Sequence, residues 1–213
     1  LSGNAEGEGL DCLTLFALWG ANSTQALKVL EGLRAHAPLV GIISLQDFVI
    51  GGGDGREESR EWFSRLNVPV LKGIRLPDRS RDQWMLSEDG LPWNTVHYRI
   101  AMPELQGISQ PLVLATVAKS WMHELTGLRL SITEPLPDQV ERIMKRVSRW
   151  SRLRSLANAD KRVALVYYNH PPGRHNIGAD NLDVPSSLWT ILTEMKKEGY
   201  TTGDLPATPQ ALL

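Results

Sequence analysis

The side chains best placed for chemistry lie in one loop. Residues 169–179 read Asn-His-Pro-Pro-Gly-Arg-His-Asn-Ile-Gly-Ala. His170 and His175 carry imidazoles that exchange protons or touch a metal near neutral pH. Arg174 offers a planar fork able to grip a carboxylate through two hydrogen bonds. Asn176 and Gly178 complete the set of candidate ligand-binding or cavity-lining positions. The loop leaves an apolar strand candidate, 163–168, and leads into a helix beginning near Val184-Pro185. Ligands of open α/β sheets sit outside the carboxyl ends of strands, and helix N-termini favour anions. The competing reading is a rigid connector whose prolines set the turn and whose glycines take positive φ. Two histidines flanking Pro-Pro-Gly lack a third ligand at a recognisable spacing, so no metal site is assigned, and no residue is assigned a catalytic role.

Other reactive types are scattered. Gly51, Gly52, Gly53 and Gly55 cluster without a following Gly-Lys-Ser/Thr and without a Gly-x-Gly-x-x-Gly pattern. They read as a strand-to-helix turn, leaving no visible means of binding ATP. His97, Glu104, His123 and Glu124 read as surface or satisfied core groups; adjacent His123 and Glu124 cannot share a helix face. Arg142, Arg146 and Arg149 stand on a basic helix with Lys145, Arg152 and Arg154. That face reads as solvated, with contact to an acidic partner protein as the alternative. No aromatic interleaving or DNA-binding motif accompanies it. Cys12 falls in an expected buried strand, where it would be inert.

Alternating elements must position these residues. Apolar runs at 13–18, 39–45, 68–74, 111–118 and 163–168 predict strands, and near-continuous runs suit strands covered on both faces. Helices are predicted over 23–36, stopped by Pro38, and over 56–66, with Trp62 and Phe63 inward. Ser80 and Gln83 form a capping-box pattern. An amphipathic helix is predicted over 138–157, where Val140, Ile143, Met144, Val147 and Trp150 keep helical spacing. A last helix runs from Val184 to Gly199, capped by Asp183 or Ser186, with Pro185 in its first turn and Gly199 at its end. The β-α-β order predicts an α/β fold with mostly parallel sheets flanked by helices. The expected division is an α/β unit over 1–134, a linking basic helix over 135–160, and the truncated start of a second α/β unit over 161–213.

Composition narrows the function. The chain has 213 residues, 42% hydrophobic and 22% charged, as a globular protein should. Its formal net charge of −1 gives no general attraction to nucleic acid or anionic membrane. No apolar run approaches the roughly 20 residues of a membrane span, and the start lacks signal-peptide character. A single cysteine excludes an internal disulfide and fits a reducing, cytoplasmic setting. The first residue is not Met, and Thr208-Pro209 opens a helix only four residues before the end. Both are read as marks of an incomplete chain.

Four segments carry a family resemblance. They are Leu66-Asn67-Val68-Pro69-Val70-Leu71; Asp89-Gly90-Leu91 with Met102-Pro103-Glu104-Leu105-Gln106-Gly107; the helix ending Trp150-Ser151-Arg152-Leu153; and 162–200, containing Tyr167-Tyr168-Asn169-His170-Pro171-Pro172-Gly173 and Asn176-Ile177-Gly178. Together with the tail 205–213 they resemble the cobaltochelatase CobN and magnesium-chelatase H-subunit family from about Leu13 onward. Many members have Asp at the place of Gln106. The Tyr-Tyr-Asn-x-Pro-Pro-Gly wording is closer to cobalt-type members.

The resemblance implies an incomplete piece, from the N-terminal half, of a larger multidomain subunit that holds a tetrapyrrole and an incoming divalent metal, Co or Mg. It also implies ATP and Mg used by AAA+ ATPase partners, an integrin-like partner subunit, and no activity of this piece alone. Cobalt insertion into a corrinoid precursor in cobalamin biosynthesis is the expected reaction, with magnesium insertion into protoporphyrin the alternative. Two rivals remain at this stage: a stand-alone flavodoxin-like module taking a small anionic ligand at 169–179, and a scaffold docking acidic proteins through Arg142, Arg146 and Arg149.

Overall fold

The computed structural model describes residues 1–168 and 182–212. They fall into two compact units, Leu1–Ser151 and Arg152–Leu213.

The first unit is built on one four-stranded sheet with order β1-β2-β3-β4. β1 (Ile42–Ser44) runs parallel to β2 (Val70–Leu76), and β2 parallel to β3 (Ile108–Met122). β4 (Arg129–Pro135) returns antiparallel to β3. The mostly parallel, helix-flanked α/β architecture expected from the apolar runs is therefore present. Because successive side chains alternate faces, Leu71 joins Leu114, Ile143, Met144 and Val147 in one core layer. Here α6 (Pro137–Ser155) and the short α1 (Ser2–Gly7) cover the sheet. Val70 and Ile108 point the other way, against Leu27 of α2 (Thr24–Leu33) and Phe63 and Leu66 of α3 (Arg56–Leu66). A third cluster joins Ile74, Leu76, Val113, Leu91 and Leu136, with Trp84 of α4 (Arg81–Met85) packed against it. The short α5 (Met102–Glu104) precedes β3. Gly73 is required by close approach: a Cβ there would stand 2.5 Å from Leu45 Cδ2 and 2.6 Å from Leu114 Cδ1.

Local signals place helix ends well. Ser80 and Gln83 close the capping box at the start of α4. Asn67 ends α3 in the left-handed conformation at φ 45°, which asparagine tolerates. In the second unit, α7 (Val184–Lys197) is capped by the Asp183 side chain and followed by Gly199 at φ 84°. Trp189 Nε1 donates to Pro206 O at 3.0 Å, and Asn158 Nδ2 to Glu198 O at 2.7 Å. Pro209–Ala211 forms a single 3₁₀ turn.

Three expectations are corrected. Residues 13–18 form no strand, and Phe16 is almost wholly exposed. Cys12, expected to be buried beside them, is exposed. Residues 163–168 likewise form no strand and are solvent-facing. Apolar composition supplies the tendency to pair, but neither segment meets a sheet edge among the described residues. Conversely, β4 was not anticipated. It is an exposed ribbon whose burial comes from its partner β3, so no buried apolar run announces it.

Candidate functional site

The chain leaving the carboxyl end of β1 places Asp47 and Phe48 beside two buried cations. Lys72 lies on β2, opposite Ser44 of β1, and is 1% exposed. Its ammonium donates to Gln46 O at 2.6 Å and approaches Asp47 Oδ1 at 3.4 Å. Arg99 is 6% exposed, with Nε 3.5 Å from Asp47 Oδ2. Its Nε and Nη1 are nonetheless buried without a hydrogen-bond partner. Two buried cations thus share one partly exposed carboxylate, leaving local positive charge in excess. Burial pushes the Lys72 pKa down from its ordinary value; Asp47 opposes that shift, while Arg99 and Arg75 add to it.

Arg99 comes from a π-helical turn, His97–Ala101, a rare element that recurs at functional sites. The same turn supplies Tyr98, whose ring stacks on Phe48 with centroids 4.8 Å apart and planes 19° apart. Trp19 meets Phe48 edge-on at 6.3 Å, and His97 meets Tyr98 edge-on at 5.0 Å. The Arg99 guanidinium carbon lies 5.4 Å from the Tyr98 ring centre, within cation–π range. Phe48 has φ 61° and donates its backbone N–H to Tyr98 O at 2.9 Å. A bulky residue in that conformation is strained.

Gln106 anchors the segment beyond. Its side chain accepts from Ile50 N–H and donates to Ile50 O, both at 2.8 Å. The glycine turn that follows is tied to the start of the chain and to itself. Gly51 N–H donates to Ser23 Oγ at 2.7 Å and Gly55 N–H to Gly51 O at 2.9 Å. A Cβ at Gly51 would stand 2.3 Å from Gly55 O.

The residues singled out from sequence fare unevenly. His170, Arg174, His175, Asn176 and Gly178 lie outside the described residues. Arg142 and Arg149 are exposed on α6, while Arg146 is half-buried and donates to Gln110 O at 3.3 Å. His97 is exposed, as a surface group, and meets Tyr98 edge-on. Glu104 and Glu124 are exposed, and His123 Nδ1 lies 3.0 Å from Thr126 Oγ1. Asp47, Phe48, Lys72, Tyr98 and Arg99 went unnoticed in the sequence. One signal was available: a lysine interrupting the apolar run of β2 must be buried and therefore paired. A shallow cavity of about 400 Å³ opens elsewhere, at the amino ends of β2 and β3 beside Asn67, Val70 and Gly107. Its cation Arg60 already pairs with Glu57 at 3.0 Å, so the Lys72–Asp47–Arg99 cluster is the stronger site. Among the described residues no three His, Cys, Asp or Glu side chains group to hold a metal ion. No helix there is long and apolar enough to cross a membrane.

Comparison with known proteins decides the family: residues 1–213 match CobN/Magnesium Chelatase. The chain belongs to that family. It is 32% identical over 161 residues to the magnesium-chelatase H-subunit of Chlorobaculum parvum, covering 75% of this chain and 12% of that protein. It is 29% identical over 176 residues to the chloroplastic magnesium-chelatase subunit ChlH of Oryza sativa subsp. indica, covering 81% and 12%. Aerobic cobaltochelatase subunit CobN of a Sinorhizobium species is 26% identical over 210 residues, covering 98% and 16%. The CobN/magnesium-chelatase chain thus spans between an eighth and a sixth of these relatives. No solved structure matches it significantly.

Proposed function

We propose that this chain is part of the tetrapyrrole-binding large subunit of an ATP-dependent metal chelatase, a ligase forming nitrogen–metal bonds in the cytoplasm. The observation that carries the reading is the family match, which runs the whole length of the sequence. The chain contributes a wall of the subunit and is inactive alone; metal insertion is completed by residues outside it. ATP is hydrolysed, with Mg, by AAA+ partners acting with an integrin-like subunit. The Gly51–Gly55 turn is followed by no Gly-Lys-Ser/Thr, and its Gly51 and Gly55 amides are already engaged, which supports that division. Cobalt is the metal substrate and a corrinoid precursor the acceptor, as the wording of 167–173 suggests. Magnesium and protoporphyrin form the second reading, supported by the 32% identity to a magnesium-chelatase subunit.

The test is reconstitution. The full natural subunit is mixed with its ATPase partners, a tetrapyrrole and either Co or Mg, and insertion is followed by absorbance. Insertion dependent on both ATP and partners is expected. Insertion by the subunit unaided, or a subunit that binds no tetrapyrrole, would overturn the proposal.

A further inference from the structure

We propose that Phe48, Trp19 and Tyr98 form a stacking platform, with the Arg99 guanidinium beside it, that takes the conjugated edge and one carboxylate of the tetrapyrrole. The inference rests on the chelatase reading above and assigns that ligand a place on this chain.

Four observations converge on the same few ångströms. First, Phe48 is held at φ 61°. A bulky side chain in the left-handed region is costly and persists where the surroundings fix it, which points from an observed outlier toward function. The conformation presents its ring against Tyr98 instead of into the apolar core. Second, Trp19 and Phe48 remain 69% and 39% exposed. Large rings left open beside a buried charge cluster suit a flat ligand, because offset and edge-on aromatic contacts are favourable beyond the area they bury. Third, Arg99 is buried with Nε and Nη1 lacking any hydrogen-bond partner. A buried donor left unmatched is expensive, and a ligand carboxylate would satisfy it with charge-assisted bonds. Fourth, Lys72 and Arg99 outnumber Asp47. The charge complement is an anion, and its seat lies just past the carboxyl end of β1, where open parallel sheets bind ligands.

A planar conjugated ring bearing carboxylates meets all four conditions. A segment of neighbouring polypeptide, with an aromatic and an acidic side chain, would meet some of them and is the alternative outcome of the test.

The experiment uses the full natural subunit with four forms: wild type, Trp19→Ala, Phe48→Asn and Arg99→Gln. Asparagine tolerates the left-handed backbone, so Phe48→Asn removes the ring without adding strain. Each form is titrated with protoporphyrin IX and with its dimethyl ester, in which both carboxylates are masked, following the Soret band. Thermal midpoints are measured alongside. Trp19→Ala and Phe48→Asn should each weaken both probes by about three- to tenfold, with the Phe48→Asn midpoint unchanged or raised. Arg99→Gln should weaken the free acid and leave the ester unaffected. Wild type that binds, with all three variants binding equally well, overturns the platform while leaving the chelatase reading intact. Variants that lower the midpoint without changing porphyrin affinity show a surface that docks polypeptide, and also overturn it. Wild type that binds neither probe overturns the platform as a porphyrin site and, with it, the magnesium–protoporphyrin reading, whereas the cobalt reading is decided separately by the reconstitution with a corrinoid acceptor.

Discussion

Two apolar runs, Val70–Leu76 and 163–168, have opposite environments. β2 has neighbours on both edges and helices on both faces, and Leu71, Ile74 and Leu76 are essentially inaccessible. The second run, Val-Ala-Leu-Val-Tyr-Tyr, forms no strand, and Val166 is 94% exposed. Intrinsic tendency is similar in the two, since β-propensity largely measures fit to a half-buried pleated surface. What separates them is whether an edge and a covering helix arrive. The sheet is therefore a collective object, and an isolated apolar run is only an offer to join one.

The comparison breaks most directly by truncating one residue from each run. Leu71→Ala should destabilise the first unit by about 2–5 kcal/mol, because it removes packing against Leu114, Ile143 and Met144. Val166→Ala should change stability by no more than about 0.5 kcal/mol. Denaturant midpoints of the two variants measure the contrast. Equal losses would mean that 163–168 is covered as thoroughly as β2.

A smaller effect concerns the chain just after β1. Gln106→Ala would leave Ile50 N–H and C=O without their buried partner. A loss of about 2 kcal/mol is expected, since water entering the vacated space recovers part of the penalty. Gln106→Glu keeps the acceptor for Ile50 N–H but removes the donor for Ile50 O, so equilibrium unfolding should place it between wild type and Gln106→Ala.

What could be read from the sequence follows the same division between local and collective causes. α3 was legible to the residue, because its apolar face and its Asn67 terminus lie within one segment. The Ser80–Gln83 box and the Asp183 cap depend on residues three apart, and both are formed. The alternating runs pointed to parallel strands, but their order β1-β2-β3 came only with the structure, because order is set by packing between segments. β4 stayed hidden, because the pairing that defines it is with β3 and not with an apolar face of its own. The Asp47–Lys72–Arg99 cluster was harder still. Its members come from the end of β1, the middle of β2 and a π-helical turn, and only packing brings them within 3.5 Å.

Lys72 gives a subtler handle on that cluster. Its pKa is lowered chiefly by burial, so above the folded value the native state holds fewer protons than the unfolded chain. Stability from this group then rises with pH until the unfolded value near about 10.4 is passed. Lys72→Met removes the term. As pH rises toward about 10, wild type should gain stability relative to the variant in urea titrations. Parallel pH profiles would show that Lys72 is no more buried in the native protein than in the unfolded one.

The smallest effect lies in the second unit, where α7 begins by local rules alone. Asp183 accepts from Ser186 Oγ at 2.7 Å and from Ser186 N–H at 3.1 Å, and those bonds hold its carboxyl below the usual carboxylate range. The sign follows from linkage: a depressed carboxylate pKa adds stability above the unfolded value of about 3.9, and that stability is lost as pH falls through the folded value. Asp183→Asn keeps a good capping acceptor but cannot titrate. The two proteins should therefore match in helicity near neutral pH and separate only below about pH 4, with wild type losing α7 first. Circular dichroism at 222 nm reads the difference. If separation appeared near neutrality instead, the cap would be sensing charges beyond Ser186, and α7 would belong with β2 among the elements that distant neighbours decide.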